Sequence, residues 1–119
     1  MDLTKLDFQQ ARIKQVLFKS RLRSVLYGVR EPEPGLFTMG DNPLAQWLEA
    51  VVKPGYGNQP EVHEIERLLQ QMLRTGRQLV AQYQQGHIEE ARAGLDQINA
   101  QTDQIEALFQ QLERRARLT

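Results

Sequence analysis

The chain has 119 residues, 40% of them hydrophobic and 25% charged, with 15 basic and 15 acidic side chains that cancel. That length fits one domain, residues 1–119, with a core of its own, and the composition is not that of a disordered chain. The zero balance argues against a dedicated nucleic-acid binder, and the absence of cysteine removes disulfides, thiolate metal sites and cysteine nucleophiles together.

The spacing predicts a first helix over residues 3–28. Phe8, Ala11, Gln15, Phe18, Leu22 and Val25 recur three and four apart on one face, and Gly28 offers a stop. The stretch "VREPEPGLFTMGDN" that follows has two prolines, two glycines and no helical period, so it reads as a long loop. A short helix is predicted over about 43–52. Asn42 is its cap, Pro43 fits its first turn, and it carries Trp47, the one tryptophan of the chain. "KPGYGNQP", residues 53–60, reads as another break.

A third helix is predicted from Pro60 to about residue 85, with Glu61 and Glu64 near the positive end of its dipole. Val62, Ile65, Leu69, Met72, Leu79 and Tyr83 mark its stripe, and Gly86 suits a left-handed cap. The fourth helix is predicted from about 87 to 115, with Ile88, Leu95, Ile98, Thr102, Ile105 and Leu112 in near-heptad spacing. Glutamine at 16 scattered positions fits solvated helix faces. No strand is predicted. The fold class is all-α: an antiparallel four-helix bundle with a short inserted helix after a long loop. No apolar run approaches the roughly 20 residues that span a bilayer, so no membrane insertion is expected. The opening "MDLTKLDFQQ" is unlike a secretory signal, so a cytoplasmic location is expected.

Reactive constellations are scarce. His63 and His87 are separated by a long helix, and neither has a histidine or cysteine one turn away, so the spacing that binds zinc is missing. Ser20 and Ser24 lie inside the first helix with no nucleophile elbow, and no phosphate-binding loop precedes a helix. The chain is read as a non-enzyme with no cofactor. Residues 11–30 hold six basic side chains and no acid. Arg12, Lys19 and Arg23 fall on one helical face, and that face reads either as an anion or partner contact or as a solvated surface balanced by glutamates of neighbouring helices. Gln15, on the apolar line of the first helix, either reaches solvent at the edge or marks a polar spot in the core.

The segments "QVLFKSRLRSVLYG", "NPLAQW", "PEVHEIERLLQQML" and "QQGHIEEARAGLDQI" occur in this order over roughly residues 8–113. Together they resemble the chemoreceptor zinc-binding domain, a small helical-bundle module of bacterial chemoreceptors and diguanylate cyclases. The likeness places the family's zinc ligands, three histidines and a cysteine, at Gln15, Asn42, Leu69 and Leu73. Leucine offers no ligand atom, and amides are poor ligands beside imidazole and thiolate. The resemblance therefore implies a degenerate member without metal, in which Leu69 and Leu73 fill the vacated volume, Gln15 and Asn42 pair by an amide hydrogen bond, and Trp47 anchors the short helix. It further implies a homodimer and a regulatory or protein-interaction role in bacterial signal transduction. A signalling protein such as a chemoreceptor or diguanylate cyclase would be the partner, in chemotaxis or cyclic-di-GMP control. A small-molecule or anion sensor that uses the emptied site as a pocket is the alternative.

Overall fold

A computed structural model describes the backbone of residues 3–118 and the side chains of residues 3–115. Thr4 and Asp7 set the start of α1, Lys5–Leu26. The Asp7 N–H donates to the Thr4 hydroxyl at 3.2 Å, and the Thr4 N–H donates back to the Asp7 carboxylate at 2.8 Å. This reciprocal box satisfies two N–H groups that a helix start otherwise strands. At the other end Gly28 adopts φ +75°. Its N–H donates to the Val25 carbonyl and that of Val29 to the Ser24 carbonyl, the double closure that ends a helix on a left-handed residue.

The connection over residues 29–42 is more than a loop. A 3₁₀ turn at Pro34–Phe37 buries Leu36 and Phe37, and Phe37 meets Phe18 edge-on with ring centroids 6.0 Å apart. Gly76 on the facing helix admits this pair. A Cβ there would stand 3.0 Å from Phe37 Cε1 and 3.3 Å from Phe18 Cζ. Arg77 donates to the Phe37 carbonyl and holds the turn from outside. Sequence periodicity missed these buried residues because a single turn has no period.

The short helix starts at Pro43, as expected, but does not end at 52. α2, Pro43–Trp47, passes into a π turn at Leu48–Val52 and then into α3, Lys53–Tyr56. Pro54 is the physical reason. A proline inside a helix has no N–H and clashes with the carbonyl four residues back. The wider turn before it moves the preceding bond to the i−5 register, with the Lys53 N–H donating to the Leu48 carbonyl. The break predicted at 53 is thus a helix continued through a π bulge.

α4, Pro60–Gln84, matches its predicted range closely, and Gly86 at φ +89° closes it by the same double closure seen at Gly28. The predicted fourth helix is divided at Gly94 into α5, Ile88–Ala93, and α6, Leu95–Leu118. Gly94 keeps right-handed angles, and its N–H is shared between the Glu90 and Ala91 carbonyls, so the axis tightens for one turn. Buried Leu79 presses onto its bare Cα, where an added Cβ would overlap Leu79 Cδ2.

Side-chain pairs give the directions. Phe18 meets Gly76 and the Tyr83 hydroxyl lies at Gly28, so α1 and α4 run parallel. Arg12 reaches Glu106 and Glu113, while Arg92 reaches the Leu26 carbonyl. Gln101 bonds Thr75, and Arg115 pairs with Glu61. α6 is therefore antiparallel to both other long helices. The chain from 29 to 59 returns along the bundle, which is why α1 and α4 share a direction. The result is an all-α bundle 51 Å long and 22 × 21 Å across, with no strand among the described residues and no helix long and apolar enough to cross a membrane. Phe8, Phe18, Leu22, Leu69, Met72 and Phe109 are among its largest fully buried side chains.

Candidate functional site

Gln15 of α1, Asn42 at the cap of α2, and Leu69 and Leu73 of α4, the four positions that the resemblance singles out, are all buried. Leu69 and Leu73 sit one turn apart on α4 and point into the core, 0% and 1% exposed. Burying each leucine contributes roughly 1.5–3 kcal/mol. They fill this part of the interior with hydrocarbon, as their spacing suggests.

Gln15 and Asn42 do not bond to each other, contrary to the expected amide pair. Asn42 spends its side chain locally. Its Oδ1 accepts the N–H groups of Leu44 at 2.9 Å and Ala45 at 3.1 Å, and its Nδ2 donates to the Leu36 carbonyl at 2.7 Å. One amide thereby caps α2 and ties it to the 3₁₀ turn. Local bonds win because they form with the residue's own neighbours and need no alignment between distant elements. Gln15 looks the other way and donates from Nε2 to the Thr102 carbonyl of α6 at 2.7 Å.

Gln15 belongs to a polar layer that crosses all three long helices. Beside it, Gln101 Nε2 donates to Thr75 Oγ1 at 3.0 Å, and Thr75, Gln101 and Thr102 are buried. The Oε1 atoms of Gln15 and Gln101 have no hydrogen-bond partner among the described residues. Buried acceptors left open cost about 1–3 kcal/mol each, so this layer lowers stability relative to a fully paired one. Sequence reasoning found Gln15 but missed Thr75 and Gln101. With glutamine common on every helix face, no local signal separates a buried one.

Trp47 packs the short helix against the bundle. It is buried, with ring centroids 6.2 Å from Phe8 and 5.6 Å from Phe109, both edge-on, and Phe8 and Phe109 also meet edge-on at 6.3 Å. The three rings join α1, α2 and α6. Trp47 Nε1 has no acceptor among the described residues, so the indole packs by area and ring geometry.

The three basic residues separate into two kinds. Arg12 is committed. Its Nε meets Glu106 at 2.7 Å and its Nη2 meets Glu113 at 3.1 Å. Partial burial opposes the Arg12 charge, but the bonds to the two glutamates outweigh that and raise its pKa above the usual value. Arg12 thus matches the balanced-surface reading. Lys19 and Arg23 have no ion pair among the described residues, and Arg23 lies 5.0 Å over the ring of Tyr27. Elsewhere Lys53 joins Glu49 and Glu66, both at 2.9 Å, and its hydrogen bonds to Glu49 and Glu66 raise its pKa.

Among the described residues the surface has clefts of about 140 to 460 Å³, and five of these have linings without Asn42, Leu69 and Leu73. Gln15 lines the one of about 170 Å³, together with Arg12, Lys19 and Thr102. His63 and His87 are both exposed. His87 stands 3.8 Å from Glu90, and no group of three or more potential metal ligands occurs among the described residues. No protein-family model, no curated protein and no solved structure matches the chain.

Proposed function

We propose that the chain is a metal-free regulatory or protein-interaction module of bacterial signal transduction, acting in a chemotaxis or cyclic-di-GMP setting, with a signalling protein or a second copy as its partner. The setting rests on the resemblance described above. The observation that carries the interaction role is the pair Leu69 and Leu73, which put hydrocarbon at positions where a metal-sensing relative needs imidazole. A module that has given its interior to packing acts through its surface, and α1 offers a surface with several large apolar side chains exposed.

A second reading has one observation in its favour. Gln15, with its open Oε1, lines a cleft beside Arg12 and Lys19, and such a cleft suits a small anion that also donates one hydrogen bond. Arg12 is already neutralised by two glutamates, which weakens the attraction. A thermal-shift panel of metabolites and inorganic anions separates the readings. A ligand at a hundred times its Kd adds about 2.7 kcal/mol, a shift of several degrees for a domain of this size. No shift across the panel is the expected outcome. A specific shift lost in Lys19→Ala would establish the sensor instead.

A further inference from the structure

We propose that the outer face of α1 docks an amphipathic helix of a partner protein, apolar along its centre and acidic along both edges. This rests on the reading of the chain as an interaction module. α1 is apolar on two opposite faces. The inner one, Phe8 to Leu26, is buried. On the outer one, Leu6, Ile13 and Leu17 fall on a single line at i, i+7 and i+11, with Val16 beside them. They stay 61%, 60%, 44% and 64% exposed. The other residues of this face are Gln9, Gln10, Ser20 and Ser24, so it carries no charge, and Tyr27 extends it. From Leu6 to Tyr27 the strip runs about 30 Å at 1.5 Å per residue. Monomers rarely leave an uncharged strip of this length open to water.

Charge identifies the occupant. The helical period puts Lys14 and Arg21 along one edge of the strip and Lys5, Arg12, Lys19 and Arg23 along the other. Between Asp7 and Glu31 there is no acidic residue. Arg12 is committed to Glu106 and Glu113, and Arg21 has only the exposed Glu33 at 4.0 Å. Lys14, Lys19 and Arg23 have no ion-pair partner among the described residues, so each edge keeps an uncommitted cation. A partner with glutamates or aspartates flanking an apolar line meets both edges. A second copy of α1 would set basic edge against basic edge, which disfavours self-pairing through this face.

The strip also has relief. Between α1 and α6 a groove of about 300 Å³ is lined by Val16, Ser20, Leu95 and Ile98 and rimmed by Lys19 and Arg23. It accepts one apolar side chain of the incoming helix, with the two cations placed to meet an acid beside it. Ser20 and Ser24, one turn apart, let a partner backbone approach closely. A lipid surface would use neither the groove nor the serines.

The test titrates the full chain with two helical peptides of identical apolar stripe, one edged with glutamate and one with lysine, and follows backbone amide shifts. The acid-edged peptide is expected to bind on the order of tenfold or more tightly than the other, with shifts confined to α1 and the Leu95–Ile98 turn. Ile13→Glu with Leu17→Glu, both at exposed sites, is expected to abolish binding. Lys14→Glu with Lys19→Glu and Arg23→Glu is expected to transfer preference to the lysine-edged peptide. Equal binding of both peptides, or binding of neither, overturns the proposal. So does binding to phosphatidylglycerol vesicles with no peptide bound, which assigns the face to membrane, or a dimer dissolved by Ile13→Glu, which assigns it to a second copy. If neither peptide binds and the metabolite panel is also silent, only this surface assignment fails; a metabolite shift instead overturns the module reading itself.

Discussion

Trp47→Ala lowers the unfolding free energy by about 3–5 kcal/mol, read as the midpoint shift in urea at an unchanged slope. The indole is 4% exposed and is the ring common to Phe8 and Phe109, so its removal opens a cavity at the junction of α1, α2 and α6. Edge-on aromatic contacts add about 0.5–1.5 kcal/mol per pair beyond the buried area, and two such pairs are lost. Trp47→Phe separates the contributions. It keeps a ring in place and removes an N–H that has no acceptor among the described residues, so its cost is expected to be less than half that of alanine. Equal costs for the two variants would mean that the indole's full volume, rather than ring contact, holds the segment.

Asn42→Ala is expected to cost about 2–4 kcal/mol. About 1–2 kcal/mol comes from the lost cap on Leu44 and Ala45, and the rest from the Leu36 carbonyl left without its donor. Asn42→Ser restores an acceptor for the cap but no donor for Leu36, so it falls between wild type and alanine. Amide exchange locates the effect. Protection is expected to drop over residues 34–47 first, because this one side chain links the 3₁₀ turn to α2. Uniform loss of protection across α4 and α6 would show that Asn42 supports the whole bundle and not this link.

α1 and α4 were legible because their stripes follow one period through to a glycine that ends them. Gly28 and Gly86 both take the left-handed angles that such an end requires. Two departures have local chemical causes. Pro54 reads as a break, and only the i−5 bond from Lys53 to Leu48 shows how a helix passes it. Gly94 reads as an ordinary helical glycine, and only the approach of Leu79 explains why it is bare. Burial of Leu69 followed from the apolar pattern, whereas for Gln15 that pattern left open whether the side chain reaches solvent or stays in the core. The partners of the Gln15 and Asn42 amides did not follow from it, because a carboxamide bonds whatever carbonyl or N–H lies nearest, and for Gln15 that neighbour is 87 residues away in sequence. The same helical period separates the two faces of α1: Leu17 and Leu26, nine residues apart, lie on opposite sides, the first 44% exposed and the second fully buried.

The most direct measurement is zinc content and zinc binding of the full chain, by elemental analysis after gel filtration in zinc and by calorimetric titration. With leucines at two of the four positions that the resemblance singles out, and at the other two amides bonded to Thr102, Leu36, Leu44 and Ala45, the expected result is no stoichiometric zinc and no heat of specific binding. One zinc retained per chain, with a raised melting temperature that Gln15→Ala or Asn42→Ala abolishes, would contradict the metal-free reading.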